Sequence, residues 1–136
     1  MNWRVAIVED ESTVATIAKK QIEKYAAEHG LDAEILTFTD GYAALVALQD
    51  AKQSWDLVLL DYRVPGLDGE GLWRAIEVAR PELLPRIVFI TQLPKELKLE
   101  HEGAPAPVVP KPYRYDVLAQ IVDKIRELAA RAQRKS

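Results

Sequence analysis

The sequence contains no cysteine. Disulfides, thiolate metal sites and cysteine nucleophiles are therefore excluded, and a reducing compartment is compatible with the chain. Histidine is nearly as scarce, with only His29 and His101 present. Two imidazoles without a thiolate make a zinc site a poor expectation. No apolar run approaches the ~20 residues needed to span a bilayer. The opening residues reach the carboxylates of Glu9 and Asp10 too soon for a secretory signal. The formal charge of −3 lacks the positive surplus of a nucleic-acid footprint. There is no internal repeat and no low-complexity tract. The expectation is one soluble, cytoplasmic domain over residues 1–130, with a basic tail or linker start over 131–136.

What is present is an alternation of short apolar runs and longer helical patterns. Val5-Ala6-Ile7-Val8 reads as a buried strand, and Val14, Ile17, Ala18, Ile22 and Tyr25 then recur at helical spacing. Gly30 stops that helix. Residues 33–38 read as a second strand, and Asp40 as the N-cap of a helix carrying Tyr42, Leu45 and Leu48. Leu57-Val58-Leu59-Leu60 is a third strand, followed by a helix marked by Leu72, Trp73, Ile76 and Ala79. Ile87-Val88-Phe89-Ile90 is a fourth strand and Val108-Val109 a short fifth. Val117, Leu118, Ile121, Val122, Ile125 and Leu128 form an amphipathic last helix. Between Gln92 and Pro107 lie three prolines and several charges, so a fourth helix there is expected to be short or irregular.

Strands that are apolar throughout are covered on both faces, which implies parallel pairing with helices on each side. The expected architecture is a doubly wound α/β sheet of five strands. Ligands in such sheets sit beyond the carboxyl ends of the strands. Those ends carry Glu9-Asp10, Asp61, Thr91 and Lys111. Three carboxylates brought together repel one another unless a cation sits among them. A donor set of carboxylates and waters suits Mg²⁺. One carboxylate can then act as a nucleophile toward phosphorus, with the lysine and the hydroxyl meeting the phosphoryl oxygens.

The runs Ile7-Val8-Glu9-Asp10-Glu11, Leu57 through Gly69, Ile87-Val88-Phe89-Ile90-Thr91 and Lys111-Pro112-Tyr113 occur in this order, each at a strand end. Together they resemble the receiver domain of bacterial two-component response regulators over nearly the whole chain. The resemblance implies a flavodoxin-like (βα)5 fold with strand order 2-1-3-4-5. It implies Asp61 as phosphoacceptor, and Glu9, Asp10, Asp61 and the backbone carbonyl of Arg63 as Mg²⁺ ligands, with Glu9 acting through water. It implies Thr91 and Lys111 as the groups that meet the phosphoryl oxygens. The implied donor is a phosphohistidine on a sensor histidine kinase or phosphotransfer protein. The implied output surface for a downstream protein is the face of the fourth helix, fifth strand and fifth helix, including Tyr113, Tyr115 and Val117. Enzymatic activity is expected to go no further than self-phosphorylation from small donors and slow self-dephosphorylation.

Several positions depart from that pattern. An aromatic residue is usual three positions before the lysine, where this chain has Val108. The residue after the threonine is usually small and is Gln92 here. Arg63 and Gln92 are expected to tune access to Asp61, with Gln92 slowing loss of the phosphoryl group. The segment from Gly103 to Pro112 resembles, more loosely, receivers fused to hybrid histidine kinases.

Competing readings explain less. A haloacid-dehalogenase-type phosphatase needs an Asp-x-Asp pair after the first strand, and here Asp10 is followed by Glu11 and Ser12. A flavodoxin-like cofactor protein needs a phosphate loop there, which Glu9-Asp10-Glu11 would repel. A receiver-like interaction module that works without phosphorylation would have no need of all five side chains. Trp3, Trp55 and Trp73 read as packing residues rather than a base-stacking platform.

Overall fold

Two of the strands are buried along their whole length, β3 (Leu57–Asp61) and β4 (Ile87–Thr91). A computed structural model of the chain describes residues 2–92, 94, 97–111 and 114–135. In it, β1 (Asn2–Val8), β2 (Asp32–Phe38), β3, β4 and β7 (Val108–Pro110) form one parallel sheet in the order β2-β1-β3-β4-β7. With β7 as the family's fifth strand, this is the order 2-1-3-4-5. Successive strand residues point to opposite faces, so each strand serves two cores. Ala6, Val8, Val58, Leu60, Ile87 and Phe89 join the core under α2 (Gly41–Gln49) and α3 (Gly69–Ala79). Val5, Ile7, Leu57, Leu59, Val88, Ile90 and Val109 join the core under α1 (Ser12–Glu28) and the last helix, α4 (Tyr115–Lys135).

The helix ends follow local chemistry. Gly30, at φ +65°, takes the left-handed conformation that ends α1, and the Leu31 N–H turns back to the Ala26 carbonyl at 2.9 Å. Asp40 caps α2 by accepting from the Ala43 N–H at 2.9 Å, and Asp68 caps α3 by accepting from the Gly71 N–H at 2.8 Å. Trp3, Trp55 and Trp73 are buried packing residues.

Four of the apolar residues that mark these helices are exposed. Ala15, Ala18, Ile22, Tyr25 and Ala26 set the buried face of α1, which turns Ile17 outward to 44% exposure. Tyr42 is 60% exposed at the start of α2, and Ala79 and Leu128 are also exposed. Ile17 is one position from buried Ala18 and Tyr42 one from buried Gly41, a rotation of about 100° around the axis that takes each off the stripe.

The larger difference lies between β4 and β7. Where a short or irregular fourth helix is expected, the described residues contain no α-helix. They form a small antiparallel ladder of β5 (Glu100–His101) and β6 (Ala104–Pro105). Glu102 and Gly103 turn it with φ of 52° and 80°, the paired positive values a two-residue hairpin loop requires. The Ala106 N–H donates to the Leu99 carbonyl, and both side chains are buried in the core shared with α2 and α3. Among the described residues no helix is long and apolar enough to cross a membrane.

Candidate functional site

The carboxyl ends of β1, β3, β4 and β7 meet at one edge of the sheet and carry the expected side chains there. Glu9 follows β1 and is only 2% exposed, whereas Asp10 beside it is exposed. Asp61 ends β3 at 6% exposure, and Thr91 ends β4, also buried. Lys111 follows β7, and its N–H donates to the Thr91 carbonyl at 2.9 Å, which fixes it against the neighbouring strand.

The Lys111 Nζ donates to Asp61 Oδ2 at 2.9 Å and reaches Glu9 Oε2 at 3.4 Å. The other oxygen of Asp61, Oδ1, accepts from the Arg63 N–H at 3.0 Å. Glu9 Oε1 accepts from the Glu11 N–H at 3.1 Å. Glu9, Asp10 and Asp61 each present an oxygen within 4.8 Å of the others. Lys111 thus pairs with Asp61 and Glu9 while Asp10 stands beside them, and the protonation of Glu9 is perturbed. Burial first, then its hydrogen bond and charge repulsion with Asp61, push its carboxyl up to about 7, against a smaller lowering by the Glu11 amide and Lys111. Burial alone would lower Lys111, but Asp61 and Glu9 outweigh it and raise its pKa.

Around this centre, Asp10, Tyr62, Arg63, Val64, Pro65 and Asp68 line an open cleft of about 460 Å³. Arg63 and Gln92 are both exposed, Arg63 in the wall of the cleft and Gln92 directly after Thr91. Val108 is half-buried, pairs with Phe89 and packs on the α2/α3 core, so the position of the usual aromatic is filled by aliphatic packing. Tyr113, expected on the partner face, lies outside the described residues, as does Pro112. Tyr115 and Val117 are half-buried. Tyr115 turns toward α1, where its hydroxyl meets the Glu28 carboxylate and Lys24 sits 4.1 Å from its ring centre.

One contributor was not foreseen. The Gly41 N–H, at the start of α2, donates to the Pro65 carbonyl at 3.1 Å and ties that helix to the loop after Asp61. Asp40-Gly41 could be read from the sequence as a helix start, but nothing in the spacing points to the loop.

The family model for the response regulator receiver domain matches residues 5–123. The chain belongs to this family. The DNA-binding transcriptional regulator NtrC of Salmonella typhimurium is 30% identical over 122 residues, covering 88% of this chain but 24% of NtrC. The receiver therefore spans about a quarter of the length of the curated relatives it matches. Among solved structures, the receiver domain of hybrid histidine kinase CckA superposes with a TM-score of 0.66 at 27% identity, covering 90% of this chain and 97% of that one. The receiver domain of a Pseudomonas aeruginosa sensor histidine kinase, solved with a magnesium ion in its active-site cleft, gives 0.71 at 21% identity, covering 91% and 97%. The receiver fold and its two-component signalling class follow from these matches, and the acidic cluster at the strand ends fits Mg²⁺ and phosphorylation.

Proposed function

We propose that this receiver is the phosphoacceptor switch of a phosphorelay, taking a phosphoryl group onto Asp61 from a phosphohistidine of a sensor histidine kinase or phosphotransfer protein. The single observation that carries this reading is the Lys111–Asp61–Glu9 contact set, with Asp10 in reach. Three hard oxygen donors around a buried edge fit Mg²⁺ better than any softer ion. Glu9, Asp10, Asp61 and the Arg63 carbonyl are the groups that would hold it, Glu9 through water. When bound, the cation supplies positive charge against the carboxylates and the incoming phosphoryl oxygens.

The protein's own part is positioning and charge. The Arg63 N–H and Lys111 each hold one oxygen of Asp61, so the carboxylate is oriented before the donor arrives. An oxygen of Asp61 attacks phosphorus, an O–P bond forms, the N–P bond of the phosphohistidine breaks, and the imidazole leaves with that electron pair. Lys111 then offsets the new charge, about −1.5 to −2, and the Thr91 hydroxyl offers a hydrogen bond. That pull acts on the ends of β4 and β7 and biases the segment after Thr91, β7 and α4 between two arrangements, the surface a downstream protein would read. Arg63 and Gln92 stand beside the approach to Asp61 and tune the lifetime of the phosphoryl group.

Beryllofluoride with Mg²⁺ tests the reading through amide shifts. The switch predicts shifts at Thr91, Lys111 and β7 that vanish in Asp61→Asn. A receiver-like module that acts without phosphorylation predicts none.

A further inference from the structure

The loop from Tyr62 to Asp68, which follows Asp61, is pinned at more than its base. At the base, the Gly69 N–H donates to the Tyr62 carbonyl at 2.9 Å. At the tip, the Gly41 N–H holds the Pro65 carbonyl. Gly41 itself leaves no room: a Cβ there would stand 1.7 Å from the Leu67 carbonyl oxygen and 2.6 Å from its carbon. Those are backbone atoms that no rotamer change can move. Next to it, the Tyr42 ring lies over Gly66, close enough that a Cβ on Gly66 would come within 3.0 Å of the ring. The tip of the loop is therefore seated on the first turn of α2, and the other limb ends in the Arg63 amide that holds Asp61 Oδ1.

We infer that Gly41 is a positioning residue for the Asp61 site, letting the start of α2 set the place of the Arg63 backbone through the loop. The part that concerns Mg²⁺ rests on the proposed function. The clip itself does not, because it is made by the chain's own backbone atoms. Any side chain at position 41 pushes Leu67 and Pro65 away from α2, and the displacement runs along a short, closed loop to the Arg63 amide and carbonyl. Groups that orient metal ligands from behind typically affect affinity by 10–100-fold when changed.

Gly41→Ala tests this, with Gly30→Ala as control. Gly30 also strains its backbone on substitution, at φ +65°, but a Cβ there meets nothing within 4 Å, and it lies after α1 at the opposite end of the sheet. In the metal-free protein, Gly41→Ala is expected to speed hydrogen exchange of the Arg63 amide by about tenfold or more. Its Mg²⁺ affinity, from amide-shift titration, is expected to fall by about 10–100-fold. Gly30→Ala is expected to lower the melting temperature and leave both readouts unchanged. Wild-type exchange at Arg63 in Gly41→Ala, or an equal effect in Gly30→Ala, overturns the inference. Should Gly41→Ala fail to fold, the exposed Tyr42→Ala decides: faster Arg63 exchange supports the clip, and unchanged exchange overturns it. A wild-type chain that ignores Mg²⁺ altogether would refute the proposed function, while the exchange rate at Arg63 still decides the clip.

Discussion

The two ends of the sheet treat charge in opposite ways. At the amino end Glu34 and Glu82 meet arginines, and Asp50 accepts from the Lys52 N–H. Asp56 accepts from the Arg4 N–H at 2.8 Å and faces Arg86, and the Arg4 guanidinium reaches Gln53, the Ser54 carbonyl and the face of Trp55. Arg80 donates to three carbonyls, those of Leu48, Asp50 and Gln53, at 2.8–3.1 Å, and so closes the end of α2. At the carboxyl end one lysine pairs with Asp61 and Glu9, Asp10 stands beside them, and Glu9 is driven toward its neutral form. The same strands therefore run from an end built for stability to an end that holds unbalanced charge. Imbalance of this kind makes a site responsive, because a cation or a phosphoryl group changes its energetics more than it would change a satisfied network.

The sharpest way to break this contrast is to remove the Lys111 ammonium. Lys111→Met, at pH 8 without metal, should lower stability by about 3 kcal/mol, the cost of leaving buried carboxylates unpaired. Adding Asp61→Asn should recover more than half of that in urea denaturation. Arg80→Ala comes next. Losing hydrogen bonds to three carbonyls should cost about 2 kcal/mol, with Mg²⁺ affinity and phosphorylation unchanged, since the effect stays at the structural end. A fall in Mg²⁺ affinity there would erase the distinction between the two ends.

A smaller effect follows from Glu9. In the folded, metal-free chain it keeps its proton up to about pH 7, whereas the unfolded chain gives it up near 4.5. The folded state thus binds more protons in that window, so this group's contribution to stability falls as pH rises from about 4.5 to 7. Melting temperatures of wild type and Glu9→Gln across that range should diverge with this sign, and excess Mg²⁺ should suppress the difference. Smallest is Gln92→Ala. It should shorten the half-life of the phosphoryl group, followed by mass spectrometry, while stability moves by no more than about 0.5 kcal/mol, as is usual for an exposed side chain.

The candidate site was legible because its residues follow immediately on apolar runs. Leu57 to Leu60 and Ile87 to Ile90 are buried on both faces, so Asp61 and Thr91 had to stand at their ends. Strand order was carried by the family resemblance, since periodicity says nothing about which strands are neighbours. The hairpin at Glu100–Pro105 was not legible, because two-residue strands have no period to detect and Pro105 argues against a ladder. The exposure of Ile17 was not legible because alternate helical stripes through Val14–Ile17 and Ala15–Ala18 differ by one step, and only packing selects between them. The grip of Gly41 on the loop after Asp61 joins residues far apart in the chain through backbone atoms alone, which leaves no trace in side-chain pattern.

The most direct measurement is phosphorylation by acetyl phosphate with Mg²⁺ or with EDTA, read by intact mass and located by trapping the acyl phosphate with borohydride before peptide mapping. The account predicts a single phosphoryl group, dependent on Mg²⁺, in the peptide that contains Asp61 and absent from Asp61→Asn. No incorporation with Mg²⁺ present, or undiminished incorporation in Asp61→Asn, would contradict it.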